Sequence, residues 1–158
     1  MKKMIALLTT LCLLCCACCG MADMEIPTMD SMPQVIVEDE NTTVNEKAFE
    51  GEWVLNVAFA GTEYVDEQTL AGSYDFVFMP YRIADGKISQ DVQNEFGEFV
   101  TVEAPYTFEA GQLQGVDANG RSFAVELLED GNIVLSVFYP GEGDAVTCLS
   151  VFLKHPAE

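Results

Sequence analysis

Cysteine, histidine and clustered carboxylates are the side chains with most chemistry to offer, and this chain distributes them unevenly. Five of its six cysteines, Cys12, Cys15, Cys16, Cys18 and Cys19, fall at the start, leaving Cys148 alone. A nucleophilic thiol needs an electropositive setting. Cys148 alternates with apolar neighbours in an acidic chain, so it reads as a small buried hydrophobe. The one histidine, His155, stands beside Pro156 at the tail and reads as a frayed terminus. There is no Gly-x-Ser-x-Gly, no His-Glu-x-x-His and no phosphate-cradling glycine loop. Acidic pairs such as Glu126 and Glu129 are expected by chance at this composition. Asp117, Asn119 and Asp130 occupy turn signatures, without the oxygen-rich run that Ca²⁺ requires. Four methionines between Met21 and Met32 lack regular spacing and have no accompanying histidine, which argues against soft-metal capture. The expectation is a protein without catalytic residues, metal or cofactor.

The early cysteines have a different use. Lys2 and Lys3 precede an apolar run from Met4 to Cys19, which ends in Cys15-Cys16-Ala17-Cys18-Cys19-Gly20. A charged start, an apolar stretch and small residues at the end form the pattern of an export signal. The run is short for a membrane span, which takes about 20 apolar residues. The ending resembles the lipobox of bacterial lipoproteins, in which a small residue precedes the cysteine that receives diacylglycerol. Cys18 fits best, because Ala17 precedes it; Cys19, followed by Gly20, is the alternative. Cys16 has Leu13 in the usual leucine position. Ordinary secretion, with cleavage after Ala17 or Ala22, is the competing reading. The resemblance implies a lipid anchor on the extracytoplasmic side of the cell envelope. A firm anchor needs more than one acyl chain.

Removing residues 1–19 takes away two cations and no carboxylate, so the formal charge moves from −19 to −21. Nucleic-acid binding is excluded by the lack of a basic face. A single remaining cysteine rules out an internal disulfide, so an apolar core must hold the fold.

Residues 20–48 read as a flexible acidic tether. They contain Pro27 and Pro33, no aromatic residue before Phe49 and no sustained period, so they bury too little to offset ordering entropy. Val35-Ile36-Val37 could pair with a sheet edge. Residues 49–155 read as one all-β domain. Trp53, Leu55, Val57 and Phe59 alternate with other residues at period 2, one face inward. Asp66 is a candidate N-cap for a short helix through Leu70. A strand is expected over residues 73–83, with Tyr74, Phe76 and Phe78 on one face. Asp85-Gly86, Ala110-Gly111, Asp117–Gly120 and Asp130-Gly131 mark turns. Pro105 is expected to interrupt a strand. The spacing predicts an antiparallel up-and-down meander of about eight strands closing into a small barrel. A β-sandwich is the alternative.

Gly51-Glu52-Trp53 resembles the Gly-x-Trp signature at the start of lipocalins, and the domain resembles the lipocalin-like domains of small bacterial lipoproteins. The resemblance implies a Trp53 plug at one barrel end with a basic residue of the last strand packed over it; Lys154 is the nearest. The family's Thr-Asp-Tyr motif is absent, and the chain is shorter than full lipocalins.

The aromatic load then becomes the candidate site: Trp53, Phe59, Tyr74, Phe76, Phe78, Tyr106, Phe108 and Phe123. In a small barrel such side chains either fill the interior or line a pocket for one small apolar ligand. The expected function is a surface-anchored, non-enzymatic binding protein. The alternative is a protein-interaction module with a filled barrel; the apolar run Ile133–Phe138 would give its outer wall a docking face.

Overall fold

In the computed structural model, residues 26–38, 42–141 and 145–157 are described. The expected export segment, with its five cysteines, lies outside them.

The strands are β1 (Gly51–Ala60), β2 (Glu63–Tyr64), β3 (Tyr81–Ala84), β4 (Lys87–Gln93), β5 (Phe99–Glu109), β6 (Gln112–Val116), β7 (Ser122–Leu127), β8 (Ile133–Pro140) and β9 (Val146–Lys154). All neighbours are antiparallel, and β9 returns to pair with β1. Eight strands therefore close into a barrel, with β2 as a short extra strand beside the end of β1. Closure removes the exposed sheet edges of an open meander.

Two strands turn the corners of this barrel. β1 pairs with β3 through Trp53 and with β9 from Val54 onward. β5 pairs with β4 up to Pro105 and with β6 from Tyr106. Pro105 thus does not interrupt the strand. It has no N–H to donate, and it sits where β5 changes partner, with Tyr106 N–H donating to the Gly86 carbonyl at 3.1 Å.

The predicted face of β1 holds for only half its length. A bulge at Asn56 shifts the register between Leu55 and Val57. An extra residue reverses every side chain beyond it. Trp53, Leu55, Ala58 and Ala60 belong to the interior cluster, whereas Val57 and Phe59 join an outer cluster with Val134, Phe152 and Leu128.

That outer stripe is covered by the chain itself. Met29, Met32 and Val35 pack on it, Val35 bridges to Leu128, and Ile36 N–H donates to the Leu127 carbonyl at 2.9 Å. Val44 is buried in the interior cluster. The expected tether is thus corrected over residues 26–38 and 42–48: its aliphatic side chains are few, but an unpartnered apolar stripe is available to receive them. The outer wall at Ile133–Phe138 is partly occupied by the same contact.

The strand expected over residues 73–83 is present only as β3. The helix α1 (Glu67–Ser73) is capped by Asp66, whose carboxylate accepts from Thr69 N–H at 2.7 Å. The Tyr74 and Phe76 N–H groups both return to the Leu70 carbonyl, and Asp75 has a φ of 50°. Residues 74–80 therefore wind off the helix instead of extending, and Pro80 keeps the ladder from starting before Tyr81.

Candidate functional site

The barrel has one plugged end and one open end. At the plugged end Phe49 and Trp53 are fully buried, and the Trp53 indole N–H donates to the Phe49 carbonyl at 2.9 Å. The imidazole of His155, not Lys154, stacks on Trp53, with ring centroids 3.8 Å apart. Lys154 follows the inward Leu153 and points out, whereas His155 lies just past the strand and folds back over the end. Its Nδ1 lies 3.2 Å from the Glu52 carbonyl. His155 is therefore a packed residue, not a frayed one.

At the other end a cavity of about 400 Å³ enters the barrel. This volume lies near the lower end of the range for small-molecule sites. Ile88, Ala104, Phe123, Leu135, Leu149 and Val151 line its walls. Tyr74, Phe76, Tyr81 and Tyr139 bring rings to it, and Gln90, Asp117, Asn119 and Arg121 bring polar groups.

Of the eight aromatic residues singled out in the sequence, Tyr74, Phe76 and Phe123 line this cavity. The other five lie elsewhere. Trp53 plugs the opposite end. Phe59 is turned outward by the Asn56 bulge. Phe78 is exposed and packs edge-on against Phe76. Tyr106 is partly buried beside Gly86. Phe108 sits against Phe49 at the plugged end.

Sequence reasoning missed Tyr81, Tyr139 and Arg121. Tyr139 follows the apolar run of β8 and Tyr81 opens β3, so both were legible as inward positions of their strands. Arg121 had no signal beyond being a cation in an acidic chain. Tyr139 and Arg121 belong to one network with Tyr74 and Asp117, while the Tyr81 ring packs on Phe76. The Tyr139 hydroxyl donates to the Tyr74 carbonyl at 3.0 Å, and the two rings meet edge to face. The Arg121 guanidinium lies 4.7 Å from the centre of the Tyr139 ring. Its Nε donates to Asp117 Oδ2 at 2.7 Å. Burial raises the phenol pKa values of Tyr81 and Tyr139, so both hydroxyls remain neutral hydrogen-bonding groups. The Gln90 amide spends its N–H groups on the Val77 and Met79 carbonyls, which fastens the 74–80 segment to the mouth.

Asp117 and Asp130 serve their turns. Asp117 Oδ1 accepts from the Asn119 and Arg121 N–H groups, and Asp130 Oδ1 accepts from Asn132 N–H. Among the described residues no three His, Cys, Asp or Glu side chains converge as metal ligands. Cys148 is partly buried, with Sγ 3.7 Å from Ser150 Oγ.

Apolar side chains stand exposed around the open end, among carboxylates such as Glu95 and Glu98. Phe96 and Phe99, on the β4–β5 hairpin, are 78% and 64% exposed, and Phe78, Met79 and Val146 add to them. No protein-family model and no curated protein matches this chain.

Proposed function

We propose that this chain is a non-enzymatic lipoprotein whose lipocalin-like barrel holds one small apolar molecule. A lipid on Cys18, or on Cys19, would keep it on the extracytoplasmic side of the envelope. The observation that carries the reading is the cavity: a space of about 400 Å³, walled by aliphatic and aromatic side chains, open at one end and plugged at the other. Apolar surface that is accessible but concave is what a small hydrophobic molecule displaces water from most favourably. The test is a fluorescence titration with the neutral apolar probe N-phenyl-1-naphthylamine. The wild-type chain should bind one equivalent, and Ala104→Trp, which fills the cavity, should bind none. Equal binding by both would place the probe outside the barrel.

A second reading, a protein-interaction module, draws on the exposed aromatic rim at Phe96 and Phe99. It predicts partner capture that is lost on changing both to serine and is indifferent to Ala104→Trp.

A further inference from the structure

Arg121 suggests which apolar molecules the cavity selects. Five Lys or Arg residues follow the export segment. Arg82 and Lys87 are paired with Asp91 and Glu103 on exposed outer positions. Lys47 and Lys154 are exposed, and neither they nor the first two line the cavity. Arg121 is thus the sole Lys or Arg that lines it, in a chain of formal charge −19.

Its guanidinium is held on two sides. Asp117 takes the Nε edge at 2.7 Å, and the Tyr139 ring lies against it at 4.7 Å. The side chain is only 21% exposed. Asp117 is in turn tied to two backbone N–H groups of its own turn, so the pair cannot swing away freely. What this geometry leaves over is the Nη edge of a fixed, planar fork, the arrangement suited to a carboxylate or similar oxyanion. Arg121 stands where the β6–β7 connection meets the cavity mouth, whereas Leu135, Leu149 and Val151 lie deeper on their strands. A ligand that met both would enter apolar end first and leave its head at the lip.

Resting on the proposed carrier role, we infer that the ligand is amphipathic: an apolar body within the barrel and an anionic, carboxylate-type head on Arg121. Long-range electrostatics oppose such a ligand, because the chain is strongly acidic. Charges beyond about 10 Å are screened in ordinary salt, so the carboxylates that count are Asp117, already on the Nε edge, and Asp75 in the cavity lining. A charge-assisted hydrogen bond at the partly desolvated lip is worth roughly tenfold in affinity.

Two probes separate the head from the body. 8-Anilinonaphthalene-1-sulfonate and N-phenyl-1-naphthylamine share their ring pair and differ by one sulfonate. The full chain should bind the sulfonate probe about tenfold more tightly than the neutral one. Arg121→Gln should remove that advantage while leaving the neutral probe within about twofold. Arg121→Lys, which keeps the charge, should restore part of it. Arg82→Gln makes the same change in net charge on the outer face and should change neither probe. Ala104→Trp should lose both. The inference is overturned if Arg121→Gln weakens both probes equally, if Arg82→Gln matches it, or if the wild-type chain prefers the neutral probe. Cavity binding of the neutral probe, with a sulfonate-probe affinity that Arg121→Gln leaves unchanged, refutes the anionic head and leaves the carrier role standing. Binding of neither probe refutes both.

Discussion

His155 lies flat against Trp53, at 3.8 Å between ring centroids and 28° between planes. The contact joins the residue after the last strand to the first turn of the first strand, and it seals the plugged end where β1 and β9 meet. Gly51 permits it. Its φ is 139°, a region other residues rarely adopt, and a Cβ there would stand 3.4 Å from the imidazole. His155→Ala should lower the unfolding midpoint by about 1 kcal/mol of stability, the usual worth of an aromatic contact, and shift Trp53 emission to the red. Unchanged emission would mean that the imidazole does not shield the indole.

Gly115 and Phe123 set the width of the cavity wall. A Cβ on Gly115 would come within 2.5 Å of both the Phe123 ring and the Pro105 carbonyl oxygen. The backbone oxygen has little freedom to yield, so Gly115→Ala should destabilise by about 1–3 kcal/mol. Denaturant unfolding measures that loss, and probe affinity should fall with it as Phe123 is pushed into the cavity.

Ala110 sits at a φ of 50° in the β5–β6 turn, ahead of Gly111 at 77°. Both central residues have positive φ, as type I′ hairpins require, and a residue with a Cβ is strained there by about 1–2 kcal/mol. Asp85-Gly86 forms the equivalent turn with a better-suited first residue. Ala110→Asn should raise stability by about 0.5–1 kcal/mol, read as a higher denaturation midpoint.

Glu126 gives a pH signature. It is partly buried, and burial raises its carboxyl pKa above the ordinary 4.5. The folded state therefore holds the proton more tightly than the unfolded chain does. That contribution is fully present below the unfolded value and is lost as pH rises through the folded one. Glu126→Gln should be more stable than wild type at pH 7, and the difference should vanish near pH 3. A difference that grows on acidification would contradict the assignment.

The contact of Met29, Met32 and Val35 with the outer stripe of Val57, Phe59 and Phe152 implies that the N-terminal segment belongs to the fold. A chain beginning at Phe49 should lose about 2–4 kcal/mol, counting roughly 1 kcal/mol for each half-buried side chain, and should expose a sticky face. Equal thermal stability of the two forms would show the segment to be a passenger.

Much of this architecture could be read from the residues. Asp85-Gly86, Ala110-Gly111 and Asp130-Gly131 announced their turns, and alternation from β6 to β9 announced their inward faces. The limits were physical. Trp53, Leu55, Val57 and Phe59 alternate perfectly, and nothing in alternation reveals an inserted residue; the Asn56 bulge comes from closing β1 onto both β3 and β9. The outward Val57 and Phe59 looked like core because another part of the chain buries them. The 74–80 segment has strand-like aromatics, but Leu70 captures its N–H groups. Arg121 gains its place from Asp117, four residues earlier in the same turn, and from the Tyr139 ring on the neighbouring strand; the second of these is a relation that linear spacing does not display.

The central claim is that the barrel carries a small molecule in the cavity walled by Phe123, Leu135 and Val151. Native mass spectrometry of the full chain and its Ala104→Trp variant, prepared identically, tests it most directly. The account predicts a bound mass, one per chain, in the wild type only, released on denaturation and displaced by excess N-phenyl-1-naphthylamine. Bare masses for both forms, with no probe binding by either, would contradict it.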